Sequence, residues 1–214
     1  MRKIVLSIII LFAFIQCKEV TDKTIETIEN TQKPKLEGKF FPLQKEGIKI
    51  FLPKEFNRIE KENYIDFLKS ISISDTDIET EKRRITEIEK GGHEVYLFEY
   101  IGSGSILNVI TTKYIPFDRD DAQMLLNSIK MEHDHHNYVH GYNFEKLEAK
   151  FMGSKETQIF KAIYKVTPPD ELEDKYPFFK QIYFVSFNKK TFSLMLETPE
   201  LVDFDPYLEK IRVL

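Results

Sequence analysis

The chain's most concentrated group of potential metal ligands is a histidine cluster between residues 132 and 140. Glu132 is followed by His133, Asp134 and two further histidines, and with His140 four of the 5 histidines lie in this stretch. On a continuous helix, His133, His136 and His140 would fall within about 60° of one another. Three imidazoles on one face can bind Zn²⁺, with Glu132 or Asp134 as a further ligand or a hydrogen-bond partner. The cluster therefore suggests a zinc site.

The same cluster has two other interpretations, and the sequence leaves them open. Asn137 and Gly141 are poor helix formers, so we expect the helix to end in a loop before His140. A polar loop rich in histidine can be simply solvated. Neighbouring histidines can also form a pH-sensitive patch, because the ordinary pKa of this side chain is about 6.5.

The sequence lacks the motifs of several common enzyme classes. The Gly-x-Ser-x-Gly elbow of serine hydrolases does not occur, and no second histidine follows His93-Glu94 at the spacing of a zinc-protease helix. The segment from Asp75 begins like a calcium loop, but Thr80 and Thr86 occupy positions that require Gly and Glu. We therefore expect a protein that is not an enzyme and that has no cofactor, unless the cluster holds zinc.

The first seventeen residues have the organisation of an export signal. Arg2 and Lys3 form a short basic segment, and an apolar run from Ile4 to Ile15 follows it. A membrane-spanning helix needs about 20 apolar residues, so this shorter run fits the apolar segment of a signal peptide. The run stops at Gln16 and Cys17, which is the only cysteine in the chain.

The segment Phe14-Ile15-Gln16-Cys17 resembles the lipobox of bacterial lipoproteins, although Gln16 replaces the usual small residue and Phe14 the usual Leu. The resemblance implies that residues 1–16 are a lipoprotein signal peptide and that Cys17 is lipidated. The lipid would anchor the chain to a bilayer of the bacterial cell envelope, the outer membrane in a Gram-negative cell, with the domain outside the cytoplasm. An uncleaved N-terminal anchor and an ordinary signal peptide with a chance cysteine are the alternatives.

Composition divides the remainder of the chain into a tether and one domain. Residues 17–45 are polar and rich in Thr, Glu and Lys, which predicts a lipidated N-terminus and a flexible tether spanning about 30 Å. The whole chain is 42% hydrophobic and 31% charged, which is ordinary for a folded protein. Residues 46–214 are predicted to form a single globular domain.

Hydrophobic periodicity predicts an α+β domain in which helices flank an antiparallel β-sheet. Alternation from Gly47 to Leu52 predicts a strand, and the spacing of Ala122, Leu125 and Ile129 predicts a helix that begins at Asp118. Further helices are predicted at about 60–70, 75–90 and 203–211. Further strands are predicted at about 93–101, 105–115, 144–152, 156–167, 179–187 and 191–198.

The order of these elements resembles that of the PsbP/Mog1-like family. The resemblance covers residues 47–214 and rests on the opening Gly47-Ile48-x-Ile50-x-Leu52-Pro53, the helix at 118–132 before a run of hairpins, and a closing helix with Ile211. It implies an α/β/α-type sandwich. It also implies a binding or assembly role without chemistry of its own, although a fold does not fix a function.

The charge of the chain argues against nucleic acid as a partner. The chain has 31 basic and 35 acidic residues and a net charge of −4, and loss of Arg2 and Lys3 with the leader would make it −6. Nucleic-acid binders neutralise phosphates with clustered Lys and Arg. We expect a membrane-anchored envelope lipoprotein with a non-catalytic binding or accessory domain for an envelope protein or a small ligand. A zinc-binding lipoprotein that uses His133, His136 and His140 is the alternative.

Overall fold

The computed structural model describes residues 36–70, 75–100, 102–154, 156–170 and 176–214. A compact unit spans Gly38–Leu214. The predicted signal peptide, the predicted lipidation residue Cys17 and most of the predicted tether lie outside the described residues. Among the described helices, none combines the length and the apolar composition needed to cross a bilayer.

The folded unit contains two antiparallel sheets. The small sheet has the order β1-β2-β10, with β1 at Lys39–Leu43, β2 at Ile48–Leu52 and β10 at Arg212–Val213. The large sheet has the order β3-β4-β5-β9-β8-β7-β6. Its strands are β3 (Asn57–Ile59), β4 (Glu94–Tyr100), β5 (Ser105–Thr112), β6 (Asn143–Gly153), β7 (Thr157–Thr167), β8 (Phe178–Phe187) and β9 (Lys190–Thr198). The long strand β6 and the short strand β3 therefore form the two edges of the large sheet.

The described residues contain four α-helices: α1 (Lys61–Ser70), α2 (Asp75–Lys90), α3 (Arg119–His140) and α4 (Asp205–Leu208). Alternation along the strands divides the large sheet into two apolar faces. Val95 of β4 packs in the cluster with α1 and α2, and Ile182 of β8 packs in the cluster with α3. Tyr96 and Tyr183, the next residues of the same strands, pack with the small sheet and α4. The predicted α+β class is confirmed.

Helix α3 begins and ends at well-formed caps. The Asp118 side chain accepts hydrogen bonds from the backbone N–H groups of Asp120 and Asp121, and the Asp121 side chain accepts one from the Asp118 N–H. Such a capping box satisfies donors that the first helical turn leaves unpaired. Gly141 ends the helix with a φ of 74°, a left-handed conformation that favours glycine. The expectation that the helix ends before His140 is wrong, because Gly141 is its cap.

The folded unit begins earlier than the predicted boundary at residue 46. Strand β1 pairs with β2 over Lys39–Leu43, within the segment that composition assigns to the tether. Leu43 is fully buried, and the Phe41 ring lies 5.1 Å from that of Phe98. The side chains of Phe41 and Leu43 therefore pack this part of the predicted tether against the core. The closing helix is shorter than predicted, although Phe204, Leu208 and Ile211 are all buried.

Candidate functional site

His133 occupies a buried position between helix α3 and the large sheet. Only 4% of the residue is exposed. Its ring stacks on Phe144 of β6 at a centroid distance of 3.9 Å and meets the Tyr164 ring of β7 edge-on at 4.4 Å. The length of α3 and the apolar residues of its buried face, Leu126 and Ile129, bring the imidazole onto these strands.

Neither ring nitrogen of His133 has a hydrogen-bond partner among the described residues. Burial, followed by the positive charges of Lys180 and His136, lowers the pKa of His133 to about 4. Burial also lowers the pKa of His136. His133 is therefore neutral at pH 7. A buried polar group without a partner is uncommon in a folded protein, and its presence points to a position with a role beyond packing.

The three histidines that suggest a zinc site all lie on α3, but they differ in their surroundings. His136 and His140 have ring centroids 5.6 Å apart, whereas His133 lies beneath the rings of Phe144 and Tyr164. Within the described part of the chain, no group of three or more His, Cys, Asp or Glu side chains is arranged to hold a metal ion. Zinc binding by this cluster stays a prediction.

A groove of about 400 Å³ separates helix α3 from the edge strand β6, and His133 contributes to its floor. Its other lining residues are Gln123, Leu126, Asn127, Lys130, Asp134, Asn137, Asn143, Phe144, Lys146 and Tyr164. Four of these side chains are amides, which both donate and accept hydrogen bonds. Lys130 and Lys146 are exposed and form no ion pair or side-chain hydrogen bond with any described residue. Gln123 donates a hydrogen bond to Asn127, and Asn137 donates one to the Tyr142 carbonyl. The groove thus offers two unpaired lysines, and the remaining hydrogen-bonding capacity of its amides, above an aromatic floor.

A second cavity, of about 460 Å³, lies beside strands β3 and β4, but its three cationic side chains already have partners. Lys45 forms an ion pair with Glu94 at 2.8 Å. The Arg58 guanidinium lies over the ring of Tyr96, 5.0 Å from its centroid, and Lys61 pairs with Glu89. We therefore regard the groove between α3 and β6 as the stronger candidate for a binding site.

The opposite face of strands β7 and β8 carries a buried polar network. Lys161 Nζ lies 2.8 Å from Asp205 Oδ2 and 3.0 Å from Glu148 Oε2. The Tyr183 hydroxyl lies 3.1 Å from Asp205 Oδ1 and 2.9 Å from Gln181 Oε1. Although burial alone would lower the pKa of Lys161, hydrogen bonds to Asp205 and Glu148 raise it. These contacts attach the start of α4 to the sheet.

Sequence reasoning did not identify this network, because its members come from four separate strands and helices. One local signal was present. Lys161 interrupts the run Ile159-Phe160-Lys161-Ala162-Ile163, and a cation inside an apolar strand requires a buried partner. The identity of that partner, Asp205, depends on how the C-terminal segment returns to the sheet.

Two solved structures resemble the folded unit. The solution structure of cyanobacterial PsbP (CyanoP) from Synechocystis sp. PCC 6803 has a TM-score of 0.48 and 13% identity, over 83% of this chain and 93% of that chain. The crystal structure of the Saccharomyces cerevisiae Ran-binding protein Mog1p has a TM-score of 0.44 and 10% identity, over 83% of this chain and 96% of that chain.

The two structures carry the names of the family that the order of elements resembles. The likeness concerns the path of the chain, and no residue role is transferred from either protein. No profile of a protein family matches this chain, and no curated protein sequence matches it.

Proposed function

We propose that this chain is a lipid-anchored protein of the bacterial cell envelope whose α+β domain binds a partner or ligand without performing chemistry on it. The groove between α3 and β6 is the observation that carries the binding role. Amide and lysine side chains line it, and His133 on its floor has ring nitrogens without a hydrogen-bond partner among the described residues. Such groups recognise a ligand through hydrogen bonds and charge.

The anchoring half of the proposal is supported by the N-terminal sequence. A basic segment, a short apolar run and the sole cysteine, Cys17, follow one another as in a lipoprotein signal. Each buried methylene of an acyl chain contributes about 0.8 kcal/mol to membrane binding, so several chains on one cysteine would anchor the protein stably. Residues between Cys17 and Gly38 would then act as a tether for the domain.

Metabolic labelling tests the anchor. The full-length protein is expressed in bacteria with an alkyne-bearing fatty acid, and its label, its mass and its membrane fraction are measured. We expect a labelled, membrane-bound chain that begins at Cys17, and an unlabelled Cys17→Ser variant. The matched variant Gln16→Gly, which is closer to the usual lipobox, should retain the label. An intact leader on the wild-type chain, or a label that survives in Cys17→Ser, would refute the anchor.

A further inference from the structure

We propose that the groove between α3 and the open edge of β6 is the docking site for an extended peptide with acidic side chains, which adds to the large sheet as a further strand. This inference deepens the proposed binding role and rests on it. Strand addition of this kind uses backbone hydrogen bonds for affinity and side-chain pockets for specificity.

The first argument is the edge of the sheet. Strand β6 pairs with β7 along Asn143–Gly153, and no other described strand pairs with its outer side. An edge strand presents a row of backbone N–H and C=O groups that can pair with another chain. A register shift between Lys146 and Glu148 interrupts regular pairing. The segment before this bulge, Asn143–Lys146, contains every β6 residue that lines the groove, so we place the docked peptide there.

The second argument is the length and composition of the groove wall. One side of α3 presents Gln123, Asn127, Lys130, Asp134 and Asn137, spaced alternately by four and three residues. At about 1.5 Å per residue, this side is roughly 21 Å long. A strand rises by about 3.3 Å per residue, so the wall accommodates an extended peptide of roughly six residues. The amide groups can bind its polar side chains.

The third argument is charge. Lys130 on α3 and Lys146 on β6 line the groove from its two sides, and neither is paired with a described residue. Asp134 is the only carboxylate among the described residues that line it. A peptide with carboxylate side chains would form charge-assisted hydrogen bonds with both lysines, which are stronger than neutral ones. A basic peptide would meet two unpaired cations.

The fourth argument is His133. It is buried on the groove floor, and both of its ring nitrogens lack partners within the described part of the chain. This is an observation independent of the edge strand and of the lysines. Because Phe144 and Tyr164 cover the ring, a peptide reaches the imidazole only by displacing Phe144, and a polar atom brought in this way would give the imidazole its missing hydrogen bond.

A peptide selection tests the docking site. Random peptides displayed on phage are selected against the full-length protein in detergent, and the selected sequences are synthesised with and without N-methyl groups on alternate amides. We expect acidic, extended peptides whose binding is abolished by N-methylation, because methylation removes the donors that strand addition needs. Hydrogen exchange should show slower exchange of Asn143–Lys146 amides in the complex.

Protein variants locate the site. Binding should weaken by at least about tenfold in Lys130→Gln/Lys146→Gln, as expected for the loss of charge-assisted hydrogen bonds. The matched control, Lys150→Gln, lies on β6 beyond the bulge and should bind like the wild type. Failure to select any peptide, equal binding of the methylated peptides, or equal binding by the double variant would overturn the docking site. Fatty-acid labelling of the same preparation reports separately on the anchor. If a selected peptide binds equally well without both lysines, the proposed binding function would stand, but this docking site would be refuted.

Discussion

A buried polar site lies against each face of strand β7, and the two sites differ in how their polar groups are satisfied. On one face, Lys161 lies 2.8 Å from Asp205 and 3.0 Å from Glu148. On the other face, His133 packs against Tyr164 and has no hydrogen-bond partner among the described residues. Both side chains are more than nine-tenths buried.

This difference separates a structural site from a candidate binding site. The Lys161 network joins β6, β7, β8 and the start of α4, so its hydrogen bonds are used to hold the C-terminal segment on the sheet. The His133 ring is held by aromatic packing alone, and it lies on the floor of an open groove. Polar groups left unsatisfied beside a groove are the ones a ligand can use.

Breaking the paired site should have the largest effect on stability. Asp205→Ala removes an ion-pair partner from Lys161 and a hydrogen-bond acceptor from Tyr183. We expect a loss of about 3 kcal/mol, at the low end for a broken buried ion pair because Glu148 remains. Urea denaturation of the full-length protein in detergent measures the free energy of unfolding.

Two variants sharpen this measurement. Glu200→Ala changes an exposed carboxylate in the same C-terminal segment and should cost less than about 0.5 kcal/mol. Lys161→Met combined with Asp205→Leu replaces two of the three charges with apolar groups of similar size, leaves the half-exposed Glu148 unpaired, and should recover part of the loss. If Asp205→Ala is no less stable than Glu200→Ala, the network does not hold the C-terminal segment.

Acid should lower the stability of the fold through His133, whose ring nitrogens are unpaired among the described residues. Burial lowers the pKa of His133 from 6.5 to about 4, so the unfolded chain binds this proton more readily than the folded chain does. Above pH 6.5 the imidazole is neutral in both the folded and the unfolded chain, so it does not reduce stability. As the pH falls from 6.5 toward 4, proton uptake by the unfolded chain destabilises the fold. We expect a loss of about 2 kcal/mol across this window from the histidine alone. Denaturation at pH 7 and pH 4.5 measures it.

The variants His133→Phe and His135→Phe isolate this effect from the titration of carboxylates. His133→Phe keeps a ring on Phe144 but cannot be protonated, so its stability should fall less between the two pH values. His135 lies on the exposed side of α3, and His135→Phe should behave like the wild type. The same acid loss in all three proteins would mean that His133 is not the group that destabilises the fold.

Local patterns predicted every strand of the large sheet except the short edge strand β3, but they did not predict the small sheet's strand β1 or the polar contacts. Strand β9 alternates inward Phe192, Leu194 and Leu196 with less buried residues, so period-two reasoning identifies it. Strand β1 was not predicted, because Pro42 lies between its two inward residues, Phe41 and Leu43, and the residues on either side of the strand are polar. Gly141 was interpreted as a helix breaker, although its place one residue after His140 suits a C-terminal cap.

The candidate site was only partly predictable, for a different reason. The helical spacing of His133, His136 and His140 was visible in the sequence, and α3 does carry all three. The sequence did not show that Phe144 and Tyr164 cover His133, because these residues belong to strands β6 and β7 and meet α3 only in the folded chain. The groove likewise exists only because β6 lies at the edge of the large sheet.

The effect on zinc affinity is the smallest that we expect, and it tests whether His133 stays buried beneath Phe144 and Tyr164. If the cluster binds zinc, His136 and His140 are the accessible pair, since they lie one helical turn apart with ring centroids separated by 5.6 Å. Calorimetric titration should then show affinity that falls by at least about tenfold, or about 1.4 kcal/mol, in His136→Ala/His140→Ala.

His133→Phe should change the zinc affinity by less than about twofold, because the covered ring cannot reach the ion. If His133→Phe loses as much zinc affinity as the double variant, α3 must separate from β6 and expose the ring. His133 would then be a zinc ligand in that opened form. Equal weak binding by the wild type and the double variant would end the zinc hypothesis. Either result would leave the groove beside β6 to be judged by the peptide selection alone.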